Sequence, residues 1–135
     1  MRPFVVNGEV WRVVRVPAGD PSLIDRTNTP RLATTDPVTR TISVLDSVMP
    51  PLLDRVMLHE AAHAITVSRG LLGRMRSVVP ASAWVPVEEW AAQLVEGHAI
   101  EAVAAASRSL GRPVCVDGTC MGQGTNATST PRPST

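Results

Sequence analysis

Two histidines stand one helical turn apart, with a glutamate directly after the first: His59-Glu60-Ala61-Ala62-His63. On a helix, residues four apart project from the same face, so both imidazoles can reach a single ion. Zinc accepts neutral imidazole nitrogen at about 2.0–2.1 Å, and its catalytic sites leave one position open for water. The pKa of a water held there falls toward ~7. Glu60, beside the first ligand, is placed to take that proton and hand it to a leaving amine. The chemistry implied is hydrolysis of a peptide bond. A plainer account makes this a core helix with two satisfied histidines and a solvent-facing glutamate. The chain has only three histidines, however, and two of them meet this spacing inside the apolar stretch from Val56 to Ile65. The metal site is the better reading.

The elements that must position this motif can be read around it. Pro50-Pro51 suits a first helical turn, Asp54 suits its positive end, and Gly70 is a natural stop. Between them Leu52, Leu53, Val56, Met57, Ala61, Ala64, Ile65 and Val67 recur at helical spacing, which predicts an active-site helix over about 51–69. A second helix is expected over about 86–109, opened by Pro86 and closed before Gly111. Glu88 and Glu89 lie in its opening turn, where acidic residues also simply complement the helix dipole. At ~100° per residue Glu88 falls among Ala91, Ala92, Val95 and Ala99, where a carboxylate needs a cation; Glu89, Gln93 and Glu96 form a neighbouring polar stripe.

Upstream, Phe4-Val5-Val6 and Glu9 to Val16 flank Asn7-Gly8 and read as a β-hairpin. Residues 17–40 read as a long loop rich in proline, Thr41-Ile42-Ser43-Val44 as a short strand, and 70–85 as a connector. Trp84 and Trp90 are expected in the core or connector. Cys115 and Cys120 face each other across an Asp117-Gly118 hairpin, and 122–135 reads as a disordered tail. The whole predicts an α+β fold: a small antiparallel sheet packed on two helices, forming one domain over 1–121.

The motif and the glutamate-rich helix that follows it resemble the zincin metallopeptidases, within them the gluzincin branch. The layout over about 41–105 is similar to the ImmA/IrrE-like family and to small phage-encoded metallopeptidases. The metzincin pattern would need Gly at 66 and His at 69, where this chain has Thr66 and Arg69. The resemblance implies a minimal zincin fold with His59, His63 and a glutamate from the second helix as zinc ligands. Glu89 is the first choice, with Gln93 one turn later in the place of an orienting residue; Glu88 is the runner-up and Glu96 third. The resemblance also implies that the strand 41–44 is an edge strand above the metal. The Tyr that helps polarise the carbonyl in gluzincins has no counterpart, because the chain has no Tyr. Arg69, Arg74 and Arg76 are candidate substitutes. His98 is a candidate oxyanion stabiliser or alternative ligand, although a lone histidine is more often an ordinary helix position.

Composition sets the remaining expectations. Net charge is +1, which recommends neither nucleic acid nor membrane as a partner, and leaves a peptide or protein substrate. All 13 basic residues are Arg, a bias typical of GC-rich coding sequences such as those of actinobacteria and their phages. No apolar run approaches the ~18 residues of a membrane span, and the N-terminus lacks a signal-peptide core. The expected location is the cytoplasm of a bacterium or phage-infected host; the two cysteines could form a disulfide if oxidised, but in that compartment they are expected as free thiols. The competing function is a zinc-stabilised binding or assembly module that keeps the fold without turnover.

Overall fold

The computed structural model describes residues 1–121; the tail expected at 122–135 lies outside them. Strands β1 (Phe4–Val6) and β2 (Glu9–Val16) form the expected hairpin. Asn7 and Gly8 take φ of 50° and 77° at its tip. Glycine reaches such angles without strain and asparagine tolerates them, which is why this dipeptide closes two-residue hairpins.

Strands β3 (Ala33–Asp36) and β4 (Thr41–Leu45) complete a sheet of order β1-β2-β4-β3. The α+β class is as expected, but the sheet is mixed rather than antiparallel. β2 and β4 run parallel, in a register that pairs Val13 with Ile42. The stretch 17–40 is correspondingly not all loop. It holds a 3₁₀ turn at Pro21–Leu23, capped by Asp20, and then β3. Ala33-Thr34-Thr35-Asp36 has little strand signature of its own and lies between Pro30 and Pro37. Its strand character comes from the ladder with β4. As a result β4 is interior to the sheet, and β3, not 41–44, is the edge strand.

Alternation along the strands places Trp11 and Val13 (β2), Ile42 and Val44 (β4) and Ala33 (β3) in the core. Leu53, Val56, Met57, Ala64 and Val67 of helix α1 (Leu52–Ser68) pack on them. α1 matches the predicted helix within one residue at each end and stops at Gly70, whose φ is +67°. Trp11 is fully buried, and its indole N–H donates to Ser68 Oγ at 2.7 Å. Ser68 Oγ in turn donates to Glu9 Oε2 at 3.0 Å. This chain of bonds ties the hairpin to the last turn of α1.

The connector 70–85 contains a short helix, α2 (Leu71–Arg76), before α3 (Trp84–Leu110). α3 begins two residues earlier than expected, with Pro86 inside the first turn, where a missing N–H costs no bond. Trp84 is half-buried, donates to Val79 O at 3.1 Å and carries the Arg76 guanidinium 4.9 Å above its ring. Trp90, expected in the core or connector, is instead 62% exposed.

The chain divides into two compact units, 1–97 and a second beginning at His98. In the second, β5 (Cys115–Val116) and β6 (Thr119–Cys120) form the small hairpin, with Asp117-Gly118 at its tip. Cys115 and Cys120 are joined by a disulfide, which corrects the expectation of free thiols. They are opposed partners in the ladder, so closure needs little backbone movement. Among the described residues no helix is long and apolar enough to cross a membrane.

Candidate metal centre

The centre is built within the first unit, from the middle of α1 and the second turn of α3. Ala62 and Ala64 turn toward the core and are nearly fully buried. Their neighbours His59, Glu60 and His63 are thereby held at the helix's inner flank, with His63 and Glu60 only 8% and 6% exposed. The two Nε2 atoms face each other at 3.2 Å. Glu89 approaches both, with Oε2 3.3 Å from Nε2 of His59 and Oε1 3.3 Å from Nε2 of His63. Donors placed 2.0–2.1 Å from the centre of a tetrahedron lie about 3.3 Å apart. The observed separations match that spacing, and they are also the lengths of ordinary hydrogen bonds and ion pairs. Among the described residues, His59, His63 and Glu89 are the one set of His, Cys, Asp or Glu donors that gathers in this way.

The outer nitrogens of the rings are also engaged. His59 Nδ1 lies 3.1 Å from Glu96 Oε2, and His63 Nδ1 lies 3.1 Å from Glu88 Oε1. Donation of each Nδ1–H to its carboxylate would fix the tautomer and turn both Nε2 lone pairs inward. Two lone pairs and a carboxylate would then face one another, an arrangement that a cation between them relieves. In the metal-free protein a proton serves in part. Burial pushes the His63 pKa down, but the Glu88 hydrogen bond and the charges of Glu60, Glu89 and Glu88 outweigh it, and the net shift is upward.

This geometry sorts the three candidate carboxylates. Glu89 is on the Nε2 side, as chosen from the sequence. Glu88 and Glu96, the second and third choices as ligand, instead hold the outer nitrogens. Gln93, expected to orient a histidine, is exposed and makes no side-chain hydrogen bond among the described residues. Glu88 is buried on the apolar side of α3, and the cation it was expected to need is present. Its Oε2 accepts from Arg26 at 2.9 Å. The His63 hydrogen bond, together with Arg26, holds the Glu88 carboxyl down to about 2 against the opposing effect of burial. Arg55 similarly pairs with Glu96 at 3.1 Å.

Glu60 belongs to the same helix but points to the sheet edge, where Thr35 Oγ1 on β3 donates to its Oε2 at 2.6 Å. Thr35 carried no signal in the sequence, since a threonine in a proline-framed segment is unremarkable; only the pairing of β3 brings it here. A cleft of about 790 Å³ opens over these groups, lined by β3, α2 and the loop around Arg26 and Arg31 as well as by the histidines and glutamates. Of the arginines proposed to replace the missing Tyr, Arg76 lines the cleft, stacked on Trp84. Arg69 turns to Asn7 Oδ1 at 3.5 Å, and Arg74 is not part of the cleft wall. His98 is exposed, its Nδ1 3.5 Å from Glu101 Oε2.

Comparison of the chain with protein-family models, with curated proteins and with solved structures returned no match.

Proposed function

We propose that the protein is a zinc-dependent peptidase of gluzincin type, similar in layout to the ImmA/IrrE-like family. His59, His63 and Glu89 hold the metal, and Glu60 is the general base. The single observation that supports it best is the tetrahedral spacing of the two Nε2 atoms and the Glu89 oxygens. When bound, the ion supplies Lewis-acid polarisation and lowers the pKa of water in its open position. Glu60, its second oxygen left free by Thr35, accepts a proton from the attacking water and delivers it to the departing amine. Glu96 and Glu88 keep the imidazoles in register throughout. An extended peptide fits the edge of β3, whose outer N–H and C=O groups have no strand beside them among the described residues. The substrate is a peptide or protein.

The deciding experiment compares wild type with Glu60→Gln, each assayed for zinc content and for cleavage of a quenched fluorescent peptide library. Retained zinc with activity lowered by about 10²–10⁴-fold is expected. Equal cleavage by the two proteins would defeat the assignment. Zinc bound by both with cleavage by neither would favour the second reading, a metal-stabilised binding module. That reading draws on the missing Tyr and is opposed by the placement of Glu60.

A further inference from the structure

Resting on the peptidase reading, the geometry points to Arg31 as the side chain that donates to the oxyanion formed when water adds to the substrate carbonyl. Arg31 lies just before β3 and lines the cleft together with His59, Glu60 and Glu89. It also borders the smaller recess behind, with Val56, His59, Glu60 and Glu96. It is thus on the rim shared by the base and the metal ligands.

Its position is fixed in advance of any substrate. The backbone N–H of Arg31 donates to Leu23 O at 2.8 Å. Its Nε donates to Asp25 Oδ2 at 2.6 Å. Asp25 is in turn immobilised, because its Oδ1 accepts from Thr27 N, Thr27 Oγ1 and Thr29 N at 2.8, 2.6 and 3.0 Å. Only one edge of the guanidinium is used in this way, and its Nη groups have no partner among the described residues. The Asp25 hydrogen bond holds the Arg31 pKa up, and the charges of Glu89 and Glu60 add to it.

The other arginines of this unit near the centre are committed elsewhere. Arg26 is held by Glu88 and Arg55 by Glu96, while Arg76 stacks on Trp84. Arg12 also lines the cleft, but it alternates with the buried Trp11 and Val13, and of the two only Arg31 also borders the recess shared with His59 and Glu60. Arg31 alone combines a fixed position, free donors and nearness to the base.

In the reaction, the water oxygen bonds to the carbonyl carbon and the C=O π pair moves onto oxygen. Glu60 takes the water proton. An Arg31 Nη–H donates to the new oxyanion without transferring its proton. As the C–N bond breaks, the pair returns to re-form C=O and the amine leaves with the proton from Glu60. A pre-placed charged donor of this kind is strongest where charge develops, which is the role left open by the absent Tyr.

The test is calorimetric titration of the zinc-loaded full chain with a phosphinic dipeptide, whose charged tetrahedral centre mimics the oxyanion. Imidazole serves as a neutral ligand for the open metal position. Arg31→Met should bind the phosphinate about 10- to 100-fold more weakly, with zinc content and imidazole affinity unchanged. Arg31→Lys should recover part of the loss, and Asp25→Asn should give a smaller loss, in the same direction, by freeing Nε. If Arg31→Met fails to fold, Asp25→Asn and Arg31→Lys decide the matter. Phosphinate affinity within twofold of wild type, or an equal loss for imidazole, overturns the assignment while leaving the peptidase reading intact. A wild-type chain that holds no zinc overturns both.

Discussion

Glu88 Oε1 lies 3.1 Å from Nδ1 of His63, on the side of the ring turned away from the point where His59, His63 and Glu89 converge. Its sequence neighbour Glu89 reaches the other nitrogen of the same ring, Nε2, at 3.3 Å. Adjacent carboxylates therefore do different jobs, and replacing them should have different effects. Glu88→Gln should weaken zinc binding by about 10–100-fold through loss of an oriented, charged acceptor. Glu89→Gln should weaken it further, because a donor atom itself is lost. Competition titration against a chromophoric chelator measures both, and the reverse order would refute this division of labour.

The same pair sets a pH dependence. Glu88 has its pKa lowered to about 2 in the fold, so it contributes stability above the ordinary carboxylate value of about 4.3. That contribution disappears as pH falls toward 2. His63 has its pKa raised, so it contributes below the ordinary imidazole value of about 6.5 and loses the contribution as pH rises through the raised value. The metal-free protein should thus be most resistant to urea between these two ordinary values, and weaker on either side. Zinc competes with the His63 proton, so zinc affinity should rise with pH over the range where His63 deprotonates. Urea melts and zinc titrations at several pH values check both trends; a flat profile would contradict them.

Thr35→Val removes the hydroxyl that holds Glu60 Oε2 at 2.6 Å. A buried carboxylate deprived of its partner costs about 1–3 kcal/mol, and the base is free to turn. Peptidase activity should fall by about tenfold or more while zinc content stays at the wild-type level. Full activity in this variant would show that Thr35 does not position the base.

Ser68→Ala leaves the fully buried Trp11 N–H without its acceptor. Loss of about 1–3 kcal/mol in unfolding free energy is expected, with zinc affinity little changed, since Ser68 is more than a turn beyond His63. Chemical denaturation followed by Trp fluorescence reads this directly.

Chelation should separate the folded state from its ligand. Metal at 100 times its Kd stabilises by about 2.7 kcal/mol, so EDTA should lower the Tm of wild type but not of His63→Ala. Identical chelator responses in the two proteins would mean that stabilising metal binds elsewhere.

Much of the local structure was legible because it depends on local chemistry. Asn7-Gly8 tolerates the positive φ that a two-residue hairpin turn demands, and Gly70 stops a helix that its apolar periodicity defines within a residue. Strand β3 was hidden because Ala33 to Asp36 is a strand only through its pairing with β4. That one omission made β4 look like an edge, concealed the partner of Glu60 and made the sheet appear antiparallel. Trp90 was misplaced because hydrophobicity marks a residue as eligible for burial without guaranteeing a surface to cover it.

The sequence by itself determined that His59 and His63 share a helix face with Glu60 beside them, because helix pitch alone makes i and i+4 neighbours. It also limited the third carboxylate to the few glutamates of the following helix. Which of these meets Nε2 and which meets Nδ1 was decided only by how α3 lies against α1, since a rotation of one residue, about 100°, exchanges Glu88 for Glu89. Distances across the core, not spacing along the chain, assign the remaining roles: Arg26 to Glu88, Thr35 to Glu60, and Arg31 to the rim of the cleft.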